Sequence, residues 1–359
     1  MAAKTIVLTG THLTPAWALI ELLKKNHYRI VYLGRSRSMK GSGKAAAEKQ
    51  LLTDAGVEFY PLVTLRLPKA LVTFPIAVIQ ALIHLIKLKP KAVVSFGGNV
   101  ALPVTLAAKL AGVPLVIHEQ TFGAGLTNRL TSPLADKIAV SWESSAKFFP
   151  PQKTVITGNP LRQAVVAAKR RKRKQGIKTI YITGGNQGSL TINSTVTEIL
   201  PELLKRYKVY HQFGLTQAES LWIKQSRWAH SLPDNLKKNY RLKRWFNDER
   251  LTQILASRPL VVARSGANTV TELSFLGLPA ILIPLPIAAK KEQLVNALYL
   301  VNRGLAQLLP QGKLTPTSLK AAVSQAQKTL PRKVLTGSTP TGLAAKKLYQ
   351  LVVKAGKRA

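Results

Sequence analysis

The sequence predicts an α/β chain made of two doubly wound domains facing across a cleft. Three observations carry this expectation. Short apolar runs alternate with helix-length segments, the alternation repeats in two successive halves, and glycine-bearing turns stand where several strands give way to helices. The 359 residues are enough for two cores of ordinary domain size. We place the first domain over residues 1–160 and the second over 161–340, with a last helix at 341–359 packing back on the first.

Composition excludes some chemistry and leaves the partner open. The chain has no cysteine, so it has neither disulfides nor thiolate metal ligands. Its first residues run straight into an apolar strand, without the features of a signal peptide, and the expected side is cytoplasmic. There are 53 Lys+Arg against 15 Asp+Glu, a formal net charge of +38. Such a field attracts nucleic acid, anionic lipid headgroups and nucleotide phosphates without choosing among them. Aromatic residues are scattered rather than gathered into a stacking platform, so nucleic acid is not an expected partner.

In chain order, residues 5–8 are the first strand, followed by a turn and a helix to about residue 26. Pro15 stands where the first turn of a helix tolerates it. Residues 29–33 are a second strand, 35–49 a basic loop leading into a helix, and 57–63 a third strand. Residues 70–86 are the most apolar run, but they are interrupted by Pro75, Gln80 and His84 and are too short for a transmembrane helix. They form either a buried helix or one with a face in lipid, flanked by Lys69 on one side and Lys87, Lys89 and Lys91 on the other. Strand 92–96 leads into Gly97-Gly98-Asn99 and helix 102–110. Strand 115–117 delivers His118, Glu119 and Gln120 to its C-terminal edge, where open α/β sheets bind ligands. Strands 138–141 and 155–157 complete the first sheet.

The second half opens with KRRKRK at 169–174, read as a solvated helix end or linker. Strand 179–183 runs into T-G-G-N-Q-G-S and a helix from about residue 190, and strands follow at 209–213 and 240–245. Residues 260–263 are then a short strand, Arg264-Ser265-Gly266 a turn, and 267–276 a helix. The first N–H groups of that helix are partly positive, so this end can hold a phosphate, and Arg264 adds a full charge. Glu272, about one and a half turns in, is placed to accept hydrogen bonds from a ribose or sugar diol. Strand 279–285 opens into a loop ending in Gln293 and Asn296, and 343–353 is the final helix. No Asp-X-Asp pair or other metal-ligand cluster is visible in the sequence. A positive helix end with an arginine can neutralise phosphate instead, so the expectation is no metal and no resident cofactor.

The run R-S-G-A-N-T-V-T-E, G-L-P-A-I-L-I-P-L-P and E-Q-L-V-N-A resembles the donor signature of the MurG family. Those enzymes move N-acetylglucosamine from a UDP-sugar to a lipid-linked muramyl-peptide. S-F-G-G, H-E-Q, G-L-T-N-R, G-N-P-L-R and T-G-G-N-Q-G-S stand in the family's order, and the resemblance spans residues 6 to about 309. It implies a GT-B glycosyltransferase, with an N-terminal acceptor domain and a C-terminal donor domain. The implied location is peripheral, on the cytoplasmic face of the cell membrane, with an anionic membrane surface as partner. By this resemblance His12 is the candidate base. Donor contacts fall on Arg162, Asn186, Arg264, Ser265, Gly266, Ala267, Asn268, Thr269, Val270, Thr271, Glu272 and Gln293, with the Phe246 backbone at the uracil edge. Acceptor contacts fall on Thr11, Gly97, Gly98, His118, Glu119, Gln120 and Thr121.

The sequence also departs from the family. The N-terminal loop is shortened and keeps only Gly10. Thr121 stands in place of asparagine, Asn186 where serine is usual, and Glu292 where histidine or glutamine is common. These departures keep two alternatives open: another GT-B UDP-sugar transferase or epimerase, and a protein that binds a nucleotide-sugar or lipid without turnover.

Overall fold

The computed structural model describes residues 4–35, 47–63, 70–170, 178–287, 291–329 and 341–357. Most of the predicted basic loop at 35–49, Lys69, and Arg171 to Lys174 of the basic run lie outside the described residues. The chain divides into two compact units, Met1–Arg162 with Thr339–Ala359, and Gln163–Ser338.

In the first unit the order is β1 Thr5–Thr9, α1 Leu13–Lys25, β2 Arg29–Arg35, α2 Ala47–Asp54, β3 Glu58–Leu62, α3 Ala70–Leu88 and β4 Ala92–Ser95. Then come α4 Ala101–Leu110, β5 Leu115–Glu119, α5 Leu126–Thr131, β6 Lys137–Val140, α6 Glu143–Ala146 and β7 Thr154–Ile156. In the second unit α7 Gln163–Arg170, β8 Thr179–Thr183, α8 Leu190–Leu204, β9 Lys208–Gln212, α9 Glu219–His230, α10 Asp234–Lys237 and β10 Tyr240–Lys243 come first. They are followed by α11 Asp248–Ala256, β11 Leu260–Ala263, α12 Ala267–Leu276, β12 Ala280–Leu282, α13 Glu292–Val301, β13 Ala306–Leu308 and α14 Pro316–Thr329. The last helix, α15 Ala344–Gly356, belongs to the first unit.

Both sheets are parallel throughout, in the orders β3-β2-β1-β4-β5-β6-β7 and β10-β9-β8-β11-β12-β13. Each order reverses direction once, between β1 and β4 in the first sheet and between β8 and β11 in the second. Crossover connections leave in opposite directions there, so the C-terminal ends of those strand pairs open a crevice in which doubly wound sheets bind ligands.

Strand residues alternate between two faces, and both faces are buried. Ile6 and Leu8 join a cluster with Leu19, Leu23, Leu348 and Val352, whereas Val7 joins Val93, Val104, Ala81 and Leu85. Burying each large aliphatic side chain contributes about 1.5–3 kcal/mol. Leu348, Val352 and Ala355, four and three residues apart on α15, make one stripe that covers the sheet face carrying α1. The predicted strand at 279–285 shortens to three residues. Ile283 still donates to Ala263 O at 2.9 Å, but Pro284 has no N–H to continue the ladder.

Helix α3 packs on the core with one face, as the buried-helix reading for residues 70–86 expects, and carries an exposed apolar stripe on the other. Ala77, Val78, Ala81 and Leu85 are buried in the core, while Ile79 is 57% and Ile83 46% exposed, in line with Ile76 and Ile86. The spacing of three and four residues puts the exposed isoleucines on one stripe.

Candidate active site

In the first unit, the predicted residues gather at the reversal of strand order. Gly10, just past β1, has φ +135°, and a Cβ there would come within 2.8–2.9 Å of the Phe96 and Gly97 backbone beyond β4. The one glycine that the shortened loop keeps is therefore the one that close approach requires. Thr11 N–H donates to Gly97 O at 3.0 Å. At Gly98, φ +85°, an added Cβ would run into the Thr11 hydroxyl, so Thr11, Gly97 and Gly98 form one tight step.

His12 follows as the half-buried N-cap of α1 and makes no side-chain cap bond. Desolvation pulls its pKa below 6.5, and the charge of Glu119 acts in the opposite sense. His118 is fully buried, with Nε2 3.4 Å from Ser141 Oγ. Burial drives its pKa down to about 3, against the Gly158 backbone bond, and the charge of His12 adds to the lowering.

Glu119 turns inward. It accepts from Thr121 N–H at 2.8 Å, the Thr121 hydroxyl at 2.7 Å, Gly125 N–H at 2.8 Å and the Asn128 amide at 2.9 Å. A carboxylate with about four acceptor positions has none to spare after this. Its local effect is to shape the loop and to project negative charge toward His12. Thr121 is committed to the same carboxylate. Gln120 is 2% exposed, its carbonyl accepts from the Trp142 indole at 3.1 Å, and its Oε1 has no partner among the described residues.

In the second unit, the loop Gly184–Ser189 follows β8 and the turn Arg264–Gly266 follows β11, on either side of the strand reversal. Gly184 has no room for a Cβ against Ser189, and Gly188, φ +79°, none against Phe213 O. Asn186 is half-buried, and its carbonyl accepts from Leu215 N–H at 2.9 Å. Ser189 caps α8 by accepting from Ile192 N–H.

Arg264 is held on all sides. Its guanidinium donates to Ser189 Oγ at 2.8 Å, Gln311 Oε1 at 2.6 Å, Ile283 O at 3.1 Å and Pro284 O at 3.3 Å. Burial lowers its pKa from the usual arginine value. The charge expected to meet a phosphate is thus fixed in place beside the start of α12. Gly266 at that start offers no side-chain cap, while Val270 N–H is already bonded to Gly266 O at 3.0 Å.

Ser265 is buried and donates to Gln293 O at 2.7 Å, and the Gln293 side chain accepts from Leu285 N–H at 3.0 Å, tying the loop after β12 to α13. Ala267, Val270 and Thr271 are buried, whereas Asn268, Thr269 and Glu272 are half-buried along α12. Phe246 is buried, in edge-to-face contact with Tyr181 and Tyr210, and its N–H reaches Gln212 Oε1 at 3.4 Å. Arg162 is half-buried as the last residue of the first unit, whereas the other donor residues all lie in the second.

Sequence reasoning placed Ser189 only as the end of T-G-G-N-Q-G-S and did not find Gln311, Gln212, Asn193 or His211, whose side chains bond in or beside these loops. Only S-x-x-I at the start of α8, a capping residue before an apolar position, signalled any of them.

Two parallel doubly wound units, each with a glycine-bearing loop at its strand reversal, make up the GT-B fold, and family matches give its class as a glycosyltransferase. The glycosyltransferase family 28 N-terminal domain matches residues 5–140, and the family 28 C-terminal domain matches residues 179–351. The UDP-N-acetylglucosamine–N-acetylmuramyl-(pentapeptide) pyrophosphoryl-undecaprenol N-acetylglucosamine transferase of Lactiplantibacillus plantarum is 33% identical over 332 residues, covering 88% of this chain and 87% of that one. Its counterpart in Desulfotalea psychrophila is 34% identical over 326 residues, covering 88% and 85%. The crystal structure of Acinetobacter baumannii MurG superposes with a TM-score of 0.66 at 27% identity, covering 98% of this chain and 99% of that one. The chain belongs to the MurG family. A UDP-GlcNAc 2-epimerase from Methanocaldococcus jannaschii, TM-score 0.61 at 13% identity, shares the fold alone.

Proposed function

We propose that the chain transfers N-acetylglucosamine from UDP-N-acetylglucosamine to a lipid-linked muramyl-pentapeptide, inverting the anomeric centre. The observation that carries this reading is the start of α12 with Arg264 fixed beside it, in a chain related over most of its length to such transferases. The donor diphosphate sits at the helix start, where backbone N–H groups and the immobilised guanidinium meet the charge that develops as UDP departs. Glu272 accepts hydrogen bonds from the ribose, and Gln293 keeps the loop after β12 in place for the sugar.

His12 acts as the base. With its pKa lowered the ring is neutral at pH 7, able to accept the proton of the acceptor hydroxyl as that oxygen bonds to C1 and the C1–phosphate oxygen bond breaks. The charge of Glu119 favours the imidazolium that results.

On mixing the protein with both substrates, UDP is expected to be released only when the acceptor is present, and release is expected to survive EDTA because the helix start and Arg264 neutralise the phosphate. Turnover with a different acceptor only, epimerised sugar without UDP release, or binding without turnover would each replace this reading by one of its alternatives. Loss of release on chelation, restored by magnesium or manganese, would overturn the metal-free assignment.

We assign the acceptor side to the cytoplasmic membrane surface through the outer stripe of α3, with Lys87, Lys89 and Lys91 meeting anionic headgroups. No described helix is long and apolar enough to cross a membrane. Apolar insertion is insensitive to salt, whereas lysine attraction is screened. The protein is expected to sediment with anionic vesicles, to release partly at high salt, and to release further when Ile79 and Ile83 are replaced by Asp. Because both positions are about half exposed, the double variant should keep its melting transition. A folded double variant that binds vesicles like the parent would remove α3 from the interface.

A further inference from the structure

Beneath the donor loop of the second unit lies a buried chain of polar side chains whose direction can be read from one end. Phe213 O, a carbonyl, can only accept, so the Asn193 amide presents its NH2 there, at 3.0 Å. Asn193 Oδ1 therefore faces His211 Nε2 at 3.1 Å, and that nitrogen must carry the proton. In a neutral ring Nδ1 is then an acceptor, and the Tyr240 hydroxyl donates to it at 2.8 Å. The Tyr240 oxygen in turn lies 3.5 Å from Gln225 Nε2, and Thr197 Oγ lies 2.8 Å from both Gln225 Oε1 and Asn193 O. Asn193 is 2% exposed, His211 0%, Tyr240 6% and Gln225 8%, and burial takes the His211 pKa to about 3, so the ring stays neutral.

The chain ends where the donor loop needs support. Gly188 turns with φ +79°, and a Cβ there would collide with Phe213 O; the next residue, Gly214, packs its Cα against Gly188 with φ +104°. The position of the Phe213 carbonyl thus sets how closely the loop Gly184–Ser189 can settle. Asn193, which fixes that carbonyl, stands in the first turn of α8, its own N–H bonded to Ser189 O at 2.9 Å. Ser189 is also a partner of Arg264.

We infer that His211 is a positioning residue for the donor site: acting through Asn193, it holds Phe213 O and so seats the glycine-rich loop and the Ser189–Arg264 contact that receive the nucleotide diphosphate. The imidazole never touches substrate. It gives Asn193 Oδ1 its donor and so reinforces the rotamer whose NH2 holds Phe213 O. This rests on the donor assignment made above.

UDP binding to the full chain, measured by calorimetry, tests it. His211→Leu leaves Asn193 Oδ1 unpaired and is expected to weaken UDP about 5- to 10-fold, raising KM for the UDP-sugar while kcat at saturating donor changes little. His211→Gln, which brings an amide N–H to the place of Nε2, is expected to return affinity to near that of the parent. Val323→Ala opens a cavity in the same core, on α14, and is expected to lower the melting temperature without moving the UDP dissociation constant. Should His211→Leu fail to fold, the near-isosteric Asn193→Asp replaces the donor facing Phe213 O by an acceptor, and it is expected to weaken UDP at least as much. UDP affinity unchanged in the folded variants, a glutamine variant as weak as the leucine one, or an equal loss in Val323→Ala would overturn the inference while leaving the donor reading intact. A parent protein that binds no UDP would overturn the donor reading, and this inference with it.

Discussion

Replacing His12 by alanine is expected to lower kcat by about 10²- to 10⁴-fold, the contribution of a positioned base, with the UDP-sugar KM little changed. The expectation follows from an imidazole at the head of α1 that is both desolvated and within the field of Glu119. The pH profile carries the same assignment. Since the folded-state pKa lies below 6.5, the neutral ring persists on the acid side of the ordinary histidine value, and kcat/KM should fall only as pH drops through that lowered pKa. In the alanine variant this acid limb should disappear. A variant retaining a tenth or more of parental kcat, or an acid limb unchanged by the substitution, would assign the base to another group.

Glu272→Ala is expected to weaken UDP binding by about 1.5–3 kcal/mol, the range for a hydrogen bond to a charged group, or roughly 10- to 150-fold. Glu272 lies on α12 in the half-buried row with Asn268 and Thr269, while Val270, Thr271 and Leu273 pack inward. The substitution therefore removes a carboxylate without opening the core, and the melting temperature should move little. Titration of UDP gives the dissociation constant directly. An unchanged constant would take Glu272 out of the donor site.

Strands and the two loop positions were legible because they depend on local pattern. Residues 260–263 and 267–276 are read to the residue, and the glycines at 97, 98 and 188 adopt the left-handed backbone that singles glycine out. Residues 70–86 were ambiguous for a physical reason: α3 is apolar on the face that packs and also on the face that does not, and periodicity cannot separate two apolar faces. What the sequence could not disclose is how the charged groups are committed. Arg264 read as a full charge at the helix start, but the acceptors that fix it come from Ser189 and Gln311, 75 and 47 residues away. Glu119 read as an acceptor contact, but Thr121, Gly125 and Asn128 fold back onto it. His211 gave no signal because its partners lie 18 and 29 residues away, and only the sheet brings them together.

The return of α15 to the first unit gives the molecule an order of assembly. Leu348 and Val352 complete a core begun by Ile6 and Leu8, so strands made before the second unit share a cluster with a helix made after it. The stretch Gln163–Ser338 must be synthesised in between. At about 5–20 residues per second, this takes on the order of 10–35 s. Until α15 is made, the part of the first unit's core that Leu348, Val352 and Ala355 fill lacks these side chains, whereas the core cluster of the second unit is complete once Ala326 has been made. The residues of the second unit's core are therefore all available before those of the first, although the first unit begins earlier in the chain.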